Sequence, residues 1–240
     1  MANRLLPFRQ YDENDVINLF ANDASDANPT TNGNGSAGVF VSIKSGGGNF
    51  SKDPITYVNR TELSASYGHT RNQYPEVQLK VVAAPVASKA GEVIGVTLKQ
   101  TLEADENGEK LLYNPVKKDE LQAVLSGQAV PIATRGVFTL TTDAIDNDGG
   151  YGSFPAPGQA AVISPSTAGK VSGIAFDSLM DGGTVGENVP TGTTFAVDGG
   201  SVYYTSASVL GTWIGTGTRT SIGPSTDVAA GSYGVLKLNL

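Results

Sequence analysis

Apolar and polar residues alternate most legibly between Gly91 and Leu140, and the elements predicted there organise the reading of the rest of the chain. Val96, Leu98 and Gln100 alternate with Thr97, Lys99 and Thr101, close to the two-residue period of a half-buried strand. Asn107–Gly108 follows as a tight-turn dipeptide, because both residue types tolerate the positive φ that favoured hairpin turns require. Asn114 is placed to cap a helix, Pro115 suits its first position, and Leu121, Val124 and Leu125 share one helical face. With Gly127 available to end it in the left-handed region, the pattern predicts one short helix near residues 115–126. Beyond it, Phe138 and Leu140 alternate with Val137, Thr139 and Thr141, and Gly136 marks a bulge or a close approach of two backbones.

The flanking segments repeat this theme in shorter pieces. Residues 39–44 and 76–82 alternate as strands, and so do 158–164 and 171–176. Asp181-Gly-Gly, Pro190-Thr-Gly and Asp198-Gly-Gly separate short runs at 193–197 and 201–205, the spacing of a barrel or sandwich. The run from Tyr233 to Leu240 is apolar enough that it should be paired. The expected fold is therefore all-β with one short helix, arranged as small β-barrel or sandwich domains with an extended N-terminal arm. Residues 1–38 form the arm and a loop, 39–145 a barrel-like domain carrying the helix, and 155–240 a Gly/Thr-rich second β-domain or a continuation of the barrel.

The first 20 residues hold two apolar clusters separated by charge. Leu5, Leu6 and Phe8, then Val16, Ile17, Leu19 and Phe20, are the candidate contacts of an arm that grips a neighbouring subunit; the alternative is an arm packed on its own domain or disordered. On the arm reading, deleting residues 1–20 leaves a soluble domain and weakens assembly.

Composition narrows the function. A formal charge of −7 over 240 residues sets up a field that repels phosphate backbones, which argues against nucleic acid as a partner. Without cysteine there is no disulfide framework, thiolate metal site or thiol nucleophile. No apolar run approaches a membrane span, and residues 1–7 lack the apolar core of a signal peptide, so synthesis in a cytoplasm is expected. A histidine triad or multi-histidine metal site would have to rest on His69 alone, and the expected answer is no enzyme and no cofactor. Gly33 to Gly38 fits G-x-G-x-x-G, but the order is loop then strand, whereas a dinucleotide site needs strand, glycines, then helix. Asp143, Asp146, Asn147 and Asp148 lack the spacing and the final Glu of a calcium loop and read as a solvated connector. Trp213, Tyr203 and Tyr204 are candidate glycan-stacking or interface aromatics, although a lone Trp in a β domain is more often a core or interface residue.

The opening run MANRLLPFRQYDENDVINLF (1–20), together with GQAVPIATRGVF (127–138), PGQAAVI (157–163) and Gly169-Lys-Val, resembles virion structural proteins of tailed bacteriophages, in particular the head-decoration or cement class. The resemblance covers about residues 76–175. It implies a homo-oligomer, with a trimer favoured, bound outside the capsid shell to the major capsid protein and stabilising contacts between its subunits. It carries over no catalytic residue. The Gly/Thr-rich region after Asp143 departs from the smallest members of the class. Two other readings stand beside it, a tail, fibre or baseplate component and a carbohydrate-binding β-module.

Overall fold

The computed structural model describes residues 4–20, 35–43, 81–102, 104–105, 107–125, 129–146, 154–176, 195–197, 200–202, 206–219 and 231–240. In chain order the strands are β1 (Leu5–Gln10), β2 (Val16–Phe20), β3 (Phe40–Ile43), β4 (Val81–Ala83), β5 (Val93–Thr97), β6 (Gln100–Thr101), β7 (Ala123–Val124) and β8 (Ala129–Ala133). They continue as β9 (Arg135–Thr141), β10 (Ala160–Ile163), β11 (Val171–Ile174), β12 (Phe195–Val197), β13 (Gly200–Val202), β14 (Gly211–Arg219) and β15 (Gly231–Asn239). The helix α1 (Pro115–Glu120) lies between β6 and β7. The fold is all-β, with one short α-helix among the described residues, as the alternation predicts.

Two antiparallel sheets form the body. One has six strands in the order β1-β9-β15-β14-β10-β11, the other five in the order β2-β8-β5-β3-β4. Phe40, Val96 and Ala133 of the smaller sheet share one buried cluster with Phe138, Trp213 and Leu236 of the larger. Burial of apolar surface between the sheets is thus the main force holding the layers together. β9 and β15 pair along seven residues, from Arg135 opposite Asn239 to Thr141 opposite Tyr233. β10, β11, β14 and β15 of segment 155–240 therefore share one sheet with β1 and β9.

The N-terminal segment is built into this body. β1 pairs with β9 and β2 with β8, while β8 and β9 are separated only by Thr134. Two neighbouring chain segments therefore pass together from one sheet to the other. At that corner the Asp15 carbonyl accepts both the Thr134 amide (2.8 Å) and its hydroxyl (3.0 Å). Leu5 and Leu6 are buried, and Val16 packs against the main core. Within residues 4–20 the apolar clusters are edge strands, the packing on its own domain that stood as the alternative to a gripping arm, because pairing with β8 and β9 satisfies their backbone while burying Leu5 and Leu6.

The helix is shorter than its sequence predicts. Asn114 Oδ1 accepts from the Lys117 amide and Pro115 opens the helix, as expected. It ends at Glu120 because Gln122 turns into the left-handed region (φ 49°) and Ala123–Val124 pairs in parallel with Gln100–Thr101. Gln100 Nε2 donates to the Leu121 carbonyl, and Ala123 and Leu125 join Leu111 in a small core. Val124 is thus buried from extended chain, where its β-branched side chain fits better than on a helix, and Leu125 is buried just beyond it. The Asn107–Gly108 turn forms as predicted, with Gly108 at φ +83° and Asp105 Oδ1 accepting from the Asn107 and Glu109 amides.

Candidate interaction surface

The pairing of β1 with β9 contains the feature from which a surface can be built. Leu5 lies opposite Leu140 and Arg9 opposite Phe138, so four steps along β1 match two along β9. Two extra residues are accommodated on the edge strand, where proline is tolerated because no ladder bond is needed from it. Pro7 and Phe8 fall in this stretch, and Phe8 is left 65% exposed. Bulges re-aim side chains, and here the result is a phenyl ring in solvent beside two buried leucines.

Beside Phe8 lies a groove of about 560 Å³ lined by Pro7, Arg9, Gln10, Tyr11 and Gln122. Its walls are fixed from behind. Arg9 Nε donates to the Leu6 carbonyl at 3.0 Å across the bulge. The Tyr11 ring stacks on buried Phe138, with centroids 5.9 Å apart and planes at 19°. Partial burial lowers the Arg9 guanidinium from the usual arginine range, and the Tyr11 phenol opposes that shift. Gln122, also in the lining, adopts a positive φ that costs a residue with a side chain of order 1 kcal/mol. Asp12 caps the turn that follows Tyr11 by accepting the Asn14 amide at 2.8 Å.

Gly136 permits this arrangement. At φ +138°, a Cβ on it would sit 2.6 Å from the Gln10 carbonyl oxygen and 2.8 Å from Tyr11 Cβ. Gly136→Ala is expected to lower stability by roughly 1–3 kcal/mol through strain and overpacking, and to displace Gln10 and Tyr11. Chemical denaturation measures the first effect, and amide chemical shifts of residues 9–11 the second.

The candidate contacts separate by environment. Phe8 and Ile17 are exposed; Val16 and Leu19 are partly buried against the two main cores; Leu5 and Leu6 are internal. Phe20 ends β2, and its side chain lies outside the described residues. Exposed apolar residues also occur around α1, where Tyr113 is 78% and Val116 68% accessible. Sequence reasoning missed Arg9, Gln10, Tyr11 and Gln122; the one available signal was Pro7 inside an apolar run, which points to an edge or a bulge.

Trp213 is a core residue and not a glycan platform. It is completely buried, and its Nε1 points to the Ser172 carbonyl at 3.4 Å. No sugar can stack on a ring sealed between strands. Tyr203 and Tyr204 lie outside the described residues, as do His69 and Asp148. Asp146 is also internal: its carboxylate accepts the Ser164 and Ser166 hydroxyls, its carbonyl the Ser172 hydroxyl. Asp143 acts on buried Arg4, opposing the fall that burial imposes on that guanidinium. Among the described residues no three potential metal ligands cluster, and no helix is long and apolar enough to cross a membrane. Comparison with protein-family models, curated proteins and solved structures finds no match to this chain.

Proposed function

We propose that this chain is a non-enzymatic structural protein of a tailed-phage virion, a decoration protein that sits outside the capsid shell and stabilises contacts between major capsid subunits. The observation that carries the reading is the bulged edge of β1, which holds Phe8 in solvent on a rigid, two-sheet body. A protein that binds only assembled subunits stabilises the assembly by mass action, and repeated contacts from a homo-oligomer multiply a modest single-site affinity. Phe8, Arg9 and Tyr11 include the aromatic and guanidinium chemistry that dominates protein interfaces. The chain's resemblance to decoration proteins supplies the identity of the partner, and a symmetric oligomer, with a trimer favoured, belongs to the same reading.

Cryo-electron microscopy of the particle that incorporates the chain tests the proposal. Density repeated over the capsid lattice, with the β1 edge against shell subunits, is the expected result. Density confined to the tail, a fibre or the baseplate would replace it with the alternative placement. Phe8→Ser gives the quantitative arm of the test. Loss of a central aromatic contact should weaken shell binding by about 2 kcal/mol, roughly 30-fold, while the exposed position leaves the melting temperature nearly unchanged. Unaltered occupancy of the shell by this variant would remove the bulge from the interface.

A further inference from the structure

The groove beside the bulge has a chemistry of its own. Among the described residues its lining is Pro7, Arg9, Gln10, Tyr11 and Gln122, whose side chains include a guanidinium, two amides and a phenol able to donate, and no carboxylate. Each wall is held by a separate device. The Leu6 carbonyl occupies Arg9 Nε and so orients the guanidinium plane, the stack on Phe138 holds the Tyr11 ring, and the backbone turn after α1 sets Gln122. Glutamine at that turn is itself informative. At φ 49° glycine would be unstrained, and strained positions carrying a side chain concentrate at binding sites.

We infer that this groove is a carboxylate-binding subsite, and that its occupant is an Asp or Glu side chain offered by a protein partner. A planar guanidinium pre-oriented through one nitrogen presents its remaining N–H groups as a fork matched to a carboxylate. Flanking amides and a phenol add neutral donors around the same position. The site brings one cation, too little for a phosphate dianion, and the chain's charge of −7 opposes a polyanion such as nucleic acid. A single acidic side chain is compatible with that field because it needs only short-range contact. Phe8 next to the groove would then seat on apolar surface flanking the acidic residue. The inference rests on the bulged edge being a contact surface, though not on which particle carries the partner.

The test uses the full-length, ¹⁵N-labelled chain in solution, titrated with acetate, with N-acetylglutamate N-methylamide and with inorganic phosphate at constant ionic strength. Both carboxylates are expected to shift Arg9 Nε–H and the amides of Gln10, Tyr11 and Gln122 saturably, with a dissociation constant of order millimolar. Arg9→Gln should weaken this at least tenfold. Gln122→Gly, which relieves the backbone strain, should melt no lower than the parent yet bind several-fold more weakly, so the inference does not depend on one variant. It is overturned by the lack of a saturable shift up to about 0.1 M carboxylate. Unchanged binding by Arg9→Gln or by Gln122→Gly, or phosphate binding as tight as acetate, overturns it equally. Any of these results leaves the particle-level reading to be decided by its own density.

Discussion

A chain lacking residues 1–20 is expected to lose cooperative folding. The deletion takes away an edge strand from each sheet, β1 from beside β9 and β2 from beside β8. It also removes Leu5 and Leu6 from the interior and exposes the faces of Phe138 and Leu140 that Leu5 and Tyr11 help cover. Burial of a leucine contributes about 1.5–3 kcal/mol, so these two alone account for roughly 3–6 kcal/mol. Net stability of a folded domain is only about 5–15 kcal/mol, and the lost ladder bonds add to the deficit. Circular dichroism melts and dye binding on the 21–240 fragment check this. A broad, non-cooperative melt with strong dye binding is the expected outcome. A soluble fragment with a sharp melt would restore the dispensable arm. The same argument explains why point substitution at Phe8, and not truncation, is the informative probe of an interface: truncation confounds loss of binding with loss of the fold.

Trp213→Ala carries the second large effect. The indole is fully buried at the centre of the six-stranded sheet's inner face. Its environment is shaped to it. A Cβ at Gly234 on β15 would lie 2.6 Å from Trp213 Cζ3 and 3.2 Å from Ile145 Cδ1, so glycine leaves the space the ring occupies. Truncation leaves a cavity that neighbouring strands cannot close without breaking their pairing, and also removes the indole N–H bond to the Ser172 carbonyl. The expected loss is about 3–5 kcal/mol. For a chain of this size each kcal/mol lowers the melting temperature by about 2–4 °C, so the midpoint should fall by roughly 6–20 °C. Scanning calorimetry measures it. A fall of only a few degrees would mean that the ring is not a core residue. Loss of glycan binding in this variant would report damaged folding, because the ring has no exposed face with which to meet a sugar.

What the chain discloses locally and what it conceals follow from the range of the interactions involved. The strand alternation around Phe138 and Leu140, the Asn107–Gly108 turn, the cap at Asn114 with Pro115 behind it, and the close approach at Gly136 are all legible in sequence. Each depends on residues within one or two turns of chain, so composition and spacing suffice. The all-β class follows from the same local signals. Extending the helix to residue 126 failed because a local apolar face could not reveal that Gln100–Thr101 would pair with Ala123–Val124.

The candidate surface depends on longer range. Asp15 meets Thr134 across 119 positions, and only that juxtaposition turns the apolar N-terminal clusters from an arm into paired edges. An arm and an edge strand share one sequence pattern, half apolar and half polar, because both bury one side; what lies against that side is set by the whole fold. Likewise, nothing near Trp213 in sequence states which of its faces is covered. The bulge at Pro7 and Phe8 arises from a mismatch of register between β1 and β9, and the groove from the arrival of Gln122 opposite Arg9. Alternation and turn chemistry alone thus determined the strands, whereas tertiary pairing decided which of their side chains became core, edge and groove, since register and burial are properties of two distant segments together.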